Sequence, residues 1–423
     1  MQCRYACGTR EHFSRRTFLQ SAAGALGALS FGGMTTARAA QELASKQKQV
    51  VVFFLHGGVS QLETWDPKPD TDTGGPFQAI STSVPGVEIS ELLPYTAKQM
   101  HHLALVRGVN TAEDDHGKGA HIMFTGHRET PGFEYPYIGS AFSSLLSPAD
   151  SPLPGYIHVA GGGGAREASF LGPRFAPVGL PDGGAPPNLN LPGGLTAEQD
   201  AHRRALRSKF SGRFALGRKQ AETEAYNSSY DQAAALIARK DIFDFAAIPD
   251  SDKERYGKHD FGRHCLMARK LLENGVTFVK VSHTNYDTHS ENFNFHIEQL
   301  EEFDRPFATF VSDLSERGML DHTLIIVMSE FGRTPRINHL VGRDHWSKAW
   351  SVALGGVGIK GGAVVGKTNA NGTEVVDREV NGGHLFHTYY RAVGLDPTKA
   401  FWHEGRPFHK ADPKTDAIHE ILA

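Results

Sequence analysis

The stretch QVVVFFLHGG, residues 49–58, is the part of the sequence that decides the fold. Six apolar residues stand in a row and two glycines end the run. An amphipathic helix would interrupt the run with polar residues at helical spacing, and a half-exposed strand would alternate polar with apolar residues. An unbroken run of this length is typical of a strand whose two faces are both buried, as in a parallel sheet covered by helices.

The rest of the chain repeats this element between helices. LALVRGVN, residues 103–110, predicts a second strand. A helix over residues 261–274 stops at Gly275 and leads into the strand VTFVKVSH, residues 276–283. Another helix over residues 293–317 stops at Gly318 and leads into HTLIIVMSE, residues 322–330. This alternation predicts an α/β fold with a mostly parallel central sheet flanked by helices.

One segment interrupts the alternation, at about residues 131–245. Its first half, up to residue 195, is rich in Gly, Pro and small polar residues and predicts long loops with little regular structure. Its second half begins with Thr196 and Gln199 at the spacing of a capping box and predicts a helical insertion. We therefore expect a single α/β domain over residues 40–423 with a loop-rich and helical insertion.

Residues 1–39 have the pattern of an export signal. Arg15 and Arg16 precede Thr-Phe-Leu, a short Gly- and Ala-rich apolar run follows, and Ala37-Arg38-Ala39 forms a small-x-small cleavage site. The paired arginines indicate the twin-arginine pathway, which predicts a periplasmic or extracellular protein and the twin-arginine machinery as a partner. The apolar run is too short and too rich in glycine to predict a stable membrane span.

Composition excludes several classes of function. The formal net charge of −3 provides no basic surface for nucleic acid. Cys3 and Cys7 fall within the signal, so Cys265 is alone in the mature chain, and neither a disulfide framework nor a cysteine zinc site is expected. Any metal must therefore be bound by His, Asp and Glu.

Histidines and carboxylates follow the predicted strands at the points where they end. In open α/β sheets, ligands bind beyond the carboxyl ends of the strands. The residues found there come from separate segments: His56, His283, Asp287, His289, Glu330, Asp344 and His345. These segments meet at one edge of one sheet, so the sequence predicts a candidate site at that edge.

Three of the quoted motifs resemble a known family. FFLHGGVSQLETWDPKP (residues 53–69), SEFGRTP (residues 329–335) and GRDHW (residues 342–346) resemble the exported "domain of unknown function 1501" family. The strand-end pattern resembles the wider superfamily of alkaline phosphatases, sulfatases and cofactor-independent phosphoglycerate mutases. The resemblance covers essentially all of the mature chain, and it implies hydrolysis of phosphate or sulfate esters at a centre of divalent metals.

Carrying the superfamily pattern over residue by residue shows matches and departures. His56 stands where relatives have a metal-binding Asp at the end of the first strand, and His345 matches a late His of the mutase branch. His116 lies nine residues before the Thr125-Gly126 pair, where relatives have a Ser, Thr or Cys nucleophile. Glu330 and Phe331 stand where relatives have an Asp-His metal pair. The usual covalent mechanism is therefore not implied, although His56 and His116 can themselves bind zinc, iron or manganese.

The resemblance implies two divalent cations, of zinc, manganese or iron. We predict Asp287, His289 and His345 at one cation. His56, His116 and Glu330 are predicted at the other. Lys118 or Arg333 would bind the anionic oxygens of the substrate, a role that needs a cationic side chain.

Each of these residues also has a structural interpretation. His56 before two glycines can simply form a tight turn, and Lys118 and Arg333 can be ordinary surface charges. For His116, a loop histidine, a metal ligand and a nucleophile that forms a phosphohistidine all remain open, and the ligand role needs the fewest unusual assumptions. Glu330 is harder to explain structurally, because a carboxylate that ends an apolar strand needs a cation or hydrogen-bond donors.

The predicted function is that of an exported metal-dependent hydrolase of small-molecule or glycan phosphate or sulfate esters, in which water or His116 replaces the usual nucleophile. The alternative is a non-catalytic metal- or ligand-binding protein on the same scaffold, because fold does not determine function. A phosphomutase is suggested by GRDHW but fits poorly with export.

Overall fold

The computed structural model describes residues 47–423, except residues 150, 152, 187–188, 192 and 216–219. The predicted export signal therefore lies outside the described residues. Among the described residues, none of the helices combines the length and the apolar character that a membrane crossing requires.

An eight-stranded sheet forms the centre of the molecule. Its strands are β1 (Gln49–Leu55), β2 (Leu103–Val109), β3 (Tyr156–Val159), β4 (Val178–Leu180), β5 (Phe278–His283), β6 (Thr323–Met328), β7 (Trp350–Gly356) and β8 (Val364–Val365). Their spatial order is β8-β2-β7-β6-β1-β5-β3-β4. β1 lies between β5 and β6 and is parallel to both, whereas β7 is antiparallel to its neighbours β2 and β6. The prediction of a mostly parallel sheet is confirmed.

Both faces of this sheet are covered, as the apolar run in β1 predicted. All seven residues of β1 are buried. Val51, Phe53 and Leu55 belong to the hydrophobic core on one face, and Val50 and Phe54 belong to the core on the other. The alternation follows from the period of two along a strand.

Nine helices are described. They are α1 (Pro94–Ala97), α2 (His116–Thr125), α3 (Ile138–Leu146), α4 (Ala197–Ala215), α5 (Gln220–Ala238), α6 (Asp250–Tyr256), α7 (Asp260–Glu273), α8 (Asn292–Glu316) and α9 (Gly382–Ala392). Residues of α7 and α8 pack in the core that contains Phe53, and residues of α2, α3 and α9 pack in the core that contains Phe54. The sheet is thus enclosed between two layers of helices.

Local signals account for several helix ends. Gly275 and Gly318, which follow α7 and α8, have φ values of 87° and 67°, a conformation that glycine adopts without steric cost. Before α4, the Gln199 backbone N–H donates to Thr196 Oγ1 (3.2 Å), and the Thr196 N–H donates to Gln199 Oε1 (3.0 Å). The predicted capping box is present.

The prediction of little regular structure over residues 131–195 is wrong. This segment contains α3 and two strands of the central sheet, β3 and β4. β3 pairs with β5 over four residues, all of them buried in β3. Short strands and a helix with three serines have weak intrinsic signals, and here packing against the sheet decides the conformation.

Short elements complete the described fold. Two-stranded antiparallel ribbons pair Ala79–Ser81 with Glu88–Ser90, Gly332–Arg333 with His345–Trp346, Lys367–Thr368 with Val375–Asp377, and Ala400–His403 with Arg406–His409. Short 3-10 helices lie at Met100–His102, Ala165–Leu171, Pro173–Phe175, Lys240–Phe243 and His419–Ile421. The ribbon that joins Arg333 to His345 brings the GRDHW segment back to the end of β6.

Candidate metal centre

Four side chains converge beyond the carboxyl edge of the sheet, at the ends of different elements. His116 is the first residue of α2, Asp287 and His289 follow β5, and His345 lies in the ribbon after β6. The ligand atoms of His116, Asp287 and His345 all lie within 4.8 Å of one another. His289 adds a fourth atom, because its Nε2 lies 3.1 Å from Asp287 Oδ1 and 3.0 Å from His345 Nε2.

All three imidazoles present the same nitrogen to this centre. The Nδ1 atom of each is held by an oxygen: His116 by Glu330 Oε1 (2.7 Å), His289 by Asp344 Oδ1 (2.7 Å) and His345 by the Asp114 carbonyl (2.7 Å). A carboxylate or carbonyl oxygen can only accept, so Nδ1 carries the proton in each ring. In the neutral rings, Nε2 is then a bare lone pair that faces Asp287.

The spacing of these atoms fits a transition metal. Bonds of about 2.0–2.1 Å in a tetrahedral arrangement place ligand atoms about 3.3 Å apart. Asp287 Oδ1 lies 3.3 Å from His345 Nε2, and Asp287 Oδ2 lies 3.4 Å from His116 Nε2. The His116 Nε2 atom is buried and has no hydrogen-bond partner. Three imidazoles with oxygen-bound Nδ1 atoms and one carboxylate are the donor set of zinc, iron or manganese sites.

Glu330 is nearly buried and all of its polar contacts are internal. Its Oε1 accepts from the Gly57 backbone N–H (2.9 Å) and from His116, and its Oε2 accepts from Ser329 Oγ (2.9 Å). Burial alone would raise the pKa of Glu330, but the bond from His116 and the other donors outweigh it and lower the pKa. In turn, the hydrogen bond to Glu330 raises the pKa of His116. Glu330 thus holds His116 in place from behind.

Arg333 is fully buried. Its guanidinium donates to the carbonyls of Gly57, Gly58 (2.9 Å) and Arg343 (3.0 Å) and to Asp287 Oδ1 (2.5 Å). Burial and these four acceptors give Arg333 a positioning role, and its predicted role in binding substrate oxygens remains a prediction. Partial burial would raise the pKa of Asp287, but Arg333 outweighs this effect and lowers it to about 2.

A second buried arginine supports the loop that carries His345. Arg343 is fully buried and donates to Glu63 Oε1 (2.9 Å), which is also fully buried. It also donates to the carbonyls of Thr334 (3.0 Å), Pro335 (2.5 Å) and Thr73 (2.7 Å). These bonds hold the segment between β6 and His345 against the loop that follows β1.

The structure does not join His56 to the four converging side chains. His56 lies directly after β1, as predicted, and its Nε2 is hydrogen-bonded to Ser282 Oγ at 3.0 Å. Burial is the main reason that its pKa is lowered to about 4. Among the described residues, a single group of three or more His, Cys, Asp or Glu ligand atoms is close enough to hold an ion, and it does not include His56 or Glu330. The predicted second cation site therefore remains a prediction.

Lys118 is exposed on the first turn of α2, two residues after His116. Its backbone N–H is capped by Asp115 Oδ1 (3.0 Å). Its predicted role in binding an anion remains a prediction.

Sequence reasoning missed the partners that orient the site. GRDHW places Asp344 among the candidates, but Asp344 orients His289, which comes from a different segment, and not its neighbour His345. The Asp114 carbonyl orients His345 and Arg343 supports its loop, and no pattern in the sequence predicts either contact.

A family model described as "Protein of unknown function (DUF1501)" matches residues 47–422. No curated protein matched the sequence.

Among solved structures, the chain is similar to the PsFucS1 sulfatase from Pseudoalteromonas sp., with 13% identity, coverage of 85% of this chain and 70% of that one, and a TM-score of 0.39. It is also similar to alkaline phosphatase from the Antarctic bacterium TAB5, with 14% identity, coverage of 83% and 98%, and a TM-score of 0.37. A third match is a protein in the alkaline phosphatase superfamily from Vibrio parahaemolyticus, with 11% identity, coverage of 86% and 76%, and a TM-score of 0.31.

Proposed function

The chain belongs to the DUF1501 family, and we propose that it is an exported hydrolase of phosphate or sulfate esters that depends on one divalent transition metal. His116, Asp287, His289 and His345 would hold the metal. The observation that carries this proposal is that the Nε2 atoms of three imidazoles and a carboxylate converge at ligand spacing on the carboxyl edge of the sheet. A bound cation would polarise the ester and lower the pKa of a water molecule.

The residues of the chain prepare this centre. Glu330, Asp344 and the Asp114 carbonyl fix the ring orientation and the tautomer of the three histidines. Arg333 fixes Asp287 from the buried side. Because hydrogen bonds hold the ligands before any ion arrives, little rearrangement is needed on binding.

We infer the substrate class, phosphate or sulfate esters, from the motifs that resemble the superfamily. We infer export from the twin-arginine pattern. Twin-arginine export carries folded proteins, which suits a metal that is loaded before the protein leaves the cell.

The decisive experiment measures metal and turnover together. The purified mature protein should contain about one zinc, iron or manganese per chain by elemental analysis, and it should hydrolyse chromogenic phosphate or sulfate esters. Asp287→Asn should lose metal and activity together, whereas His202→Asn, on the exposed surface of α4, should lose neither. Absence of metal after expression in metal-replete medium would refute the site. Bound metal without turnover across a broad ester panel would favour the non-catalytic binding protein.

The role of His116 is tested separately. If His116 is a ligand, His116→Ala should reduce metal content and activity together, and His116→Asp should preserve part of both. If His116 is instead the nucleophile, His116→Ala should keep full metal content, and rapid quench of the wild type should trap a phosphohistidine.

A further inference from the structure

Lys280 is a buried lysine of the central sheet. It lies in β5, a strand whose six residues are all buried, and Lys280 itself is 5% exposed. Its Nζ lies 4.6 Å from the centre of the Phe124 ring. Within the part of the chain that the structure describes, Lys280 forms neither a side-chain hydrogen bond nor an ion pair. This separates it from the buried Arg333 and Arg343, whose donors are all directed at oxygens.

An uncompensated ammonium at such a position is unfavourable. Removing a charge from water costs several kcal/mol unless an opposite charge or hydrogen-bond acceptors replace the water. Glu167 is the acidic residue that influences Lys280, but it does not come within ion-pair distance and accepts a hydrogen bond from Tyr156 (2.9 Å) instead. Burial lowers the pKa of Lys280 despite Glu167.

The polar groups beside Lys280 form a neutral chain. His158 Nδ1 lies 2.9 Å from the Gly162 carbonyl, so it carries the proton, and its Nε2 accepts from Ser282 Oγ at 2.8 Å. Ser282 Oγ in turn accepts from His56 Nε2 at 3.0 Å. Burial is the main cause that lowers the pKa of His56 to about 4 and that of His158 to about 3, and the charge of Lys280 contributes to both. These three hydrogen-bonded side chains therefore provide no negative charge for Lys280.

This cluster lies directly next to the candidate metal centre. His56 is followed by Gly57, whose N–H donates to Glu330, and Glu330 holds His116. Lys280 and Ser282 stand two residues apart in β5 and therefore share a face of the sheet, and Ser282 is hydrogen-bonded to His56. Lys280 thus lies on the same face as His56, which leads from β1 to Gly57 and its bond with Glu330.

We propose that Lys280 binds an oxyanion, a sulfate, phosphate or carboxylate group of the substrate, next to the hydrogen-bonded chain of His158, Ser282 and His56. The inference deepens the proposed function, because it predicts that the substrate carries negative charge beside the cation. Lys280 itself needs no metal to bind such a group. A charge-assisted hydrogen bond of this kind changes affinity by about tenfold or more.

The test measures anion binding with inorganic sulfate, inorganic phosphate and acetate as probes. Calorimetry on the mature wild-type protein should detect at least one of these anions, and the same anion should raise its melting temperature. Lys280→Met should weaken that binding about tenfold or more and remove the thermal shift. Lys367→Met, the same change at an exposed lysine, should leave both unchanged. The anion that binds best identifies the charged group.

The metal-free arm separates this inference from the proposed function. After chelator treatment, Lys280-dependent binding should persist, and it would persist even if the protein proved to bind no metal at all. Binding that chelation removes and Lys280→Met leaves intact would place the anion on the metal and overturn the inference. If Lys280→Met does not fold, Lys280→Gln replaces it in the same assay. A wild-type protein that responds to none of the three anions would also overturn the inference.

Discussion

Glu330→Gln is the perturbation that best tests how the site is built. The amide oxygen of Gln can still accept from Gly57 and from His116 Nδ1, which lies 2.7 Å from the carboxylate. The negative charge is lost, however, and a charge-assisted hydrogen bond is roughly twice as strong as a neutral one. The His116 imidazole then becomes a weaker ligand, although its orientation is kept.

The expected loss of metal affinity follows from these contacts. Loss of a residue that orients a metal ligand typically lowers metal affinity about 10- to 100-fold. Because Gln keeps the geometry, Glu330→Gln should fall near the lower limit, about tenfold or about 1.4 kcal/mol. Glu330→Ala removes both acceptors and should fall near the upper limit of about 100-fold.

Metal affinity is measured by competition with a chelator of known affinity, and Glu298→Gln at an exposed position of α8 is the matched control. Asp287→Asn provides the reference for loss of a direct ligand. If Glu330→Gln loses metal as completely as Asp287→Asn, Glu330 is a ligand and not an orienting residue. If Glu330→Gln and Glu330→Ala both bind metal within twofold of the wild type, the reasoning about His116 fails.

Three further predictions concern other parts of the chain. Arg343→Met should destabilise the fold by about 3–5 kcal/mol, because it leaves the fully buried Glu63 without its partner, and Glu63→Leu combined with Arg343→Met should recover part of this loss in denaturant unfolding. Burial lowers the pKa of His127 from 6.5 to about 4, so the unfolded chain binds the proton first, and His127 should remove up to about 3 kcal/mol of stability as the pH falls from about 6.5 to 4. His127→Gln should flatten this acid limb in melts at each pH, and an unchanged limb would contradict the assignment. Changing Arg15 and Arg16 together to Lys should leave the precursor inside the cell, and normal export in fractionation would exclude the twin-arginine pathway.

The sequence was sufficient to predict the fold where local and global signals agree. β1 and the succession α7, β5, α8 and β6 follow from unbroken apolar runs, helical periodicity and the glycines that end the helices. The prediction for residues 131–195 failed because β3 has only four residues between Pro- and Gly-rich segments. Its conformation depends on pairing with β5, a contact across more than a hundred residues that no local pattern contains.

The sequence predicted where the site lies, but not which of the candidate residues contact one another there. The rule that ligands gather at the carboxyl edge identified Asp287, His289 and His345 as candidates, and the resemblance identified His116 from its spacing to Thr125-Gly126. Which of them meet depends on packing: a Cβ at Gly119 would lie 3.0 Å from the Glu330 carbonyl, so the approach of α2 to the end of β6 needs the small residue. The burial of Arg333 was not predicted, because a charged residue is usually exposed, whereas here Arg333 donates to the carbonyls of the Gly57-Gly58 turn.

The same geometry bears on whether His116 binds metal or attacks the substrate. Its Nδ1 is occupied by Glu330, so attack could come only from Nε2. That atom is buried and lies 3.4 Å from Asp287 Oδ2, whose low pKa keeps it negatively charged. An anionic ester would have to enter between a nucleophile and a carboxylate that repels it, whereas a cation between the same two atoms is attracted by both. The arrangement thus favours a ligand role for His116, and metal loss in His116→Ala is the result that this argument requires.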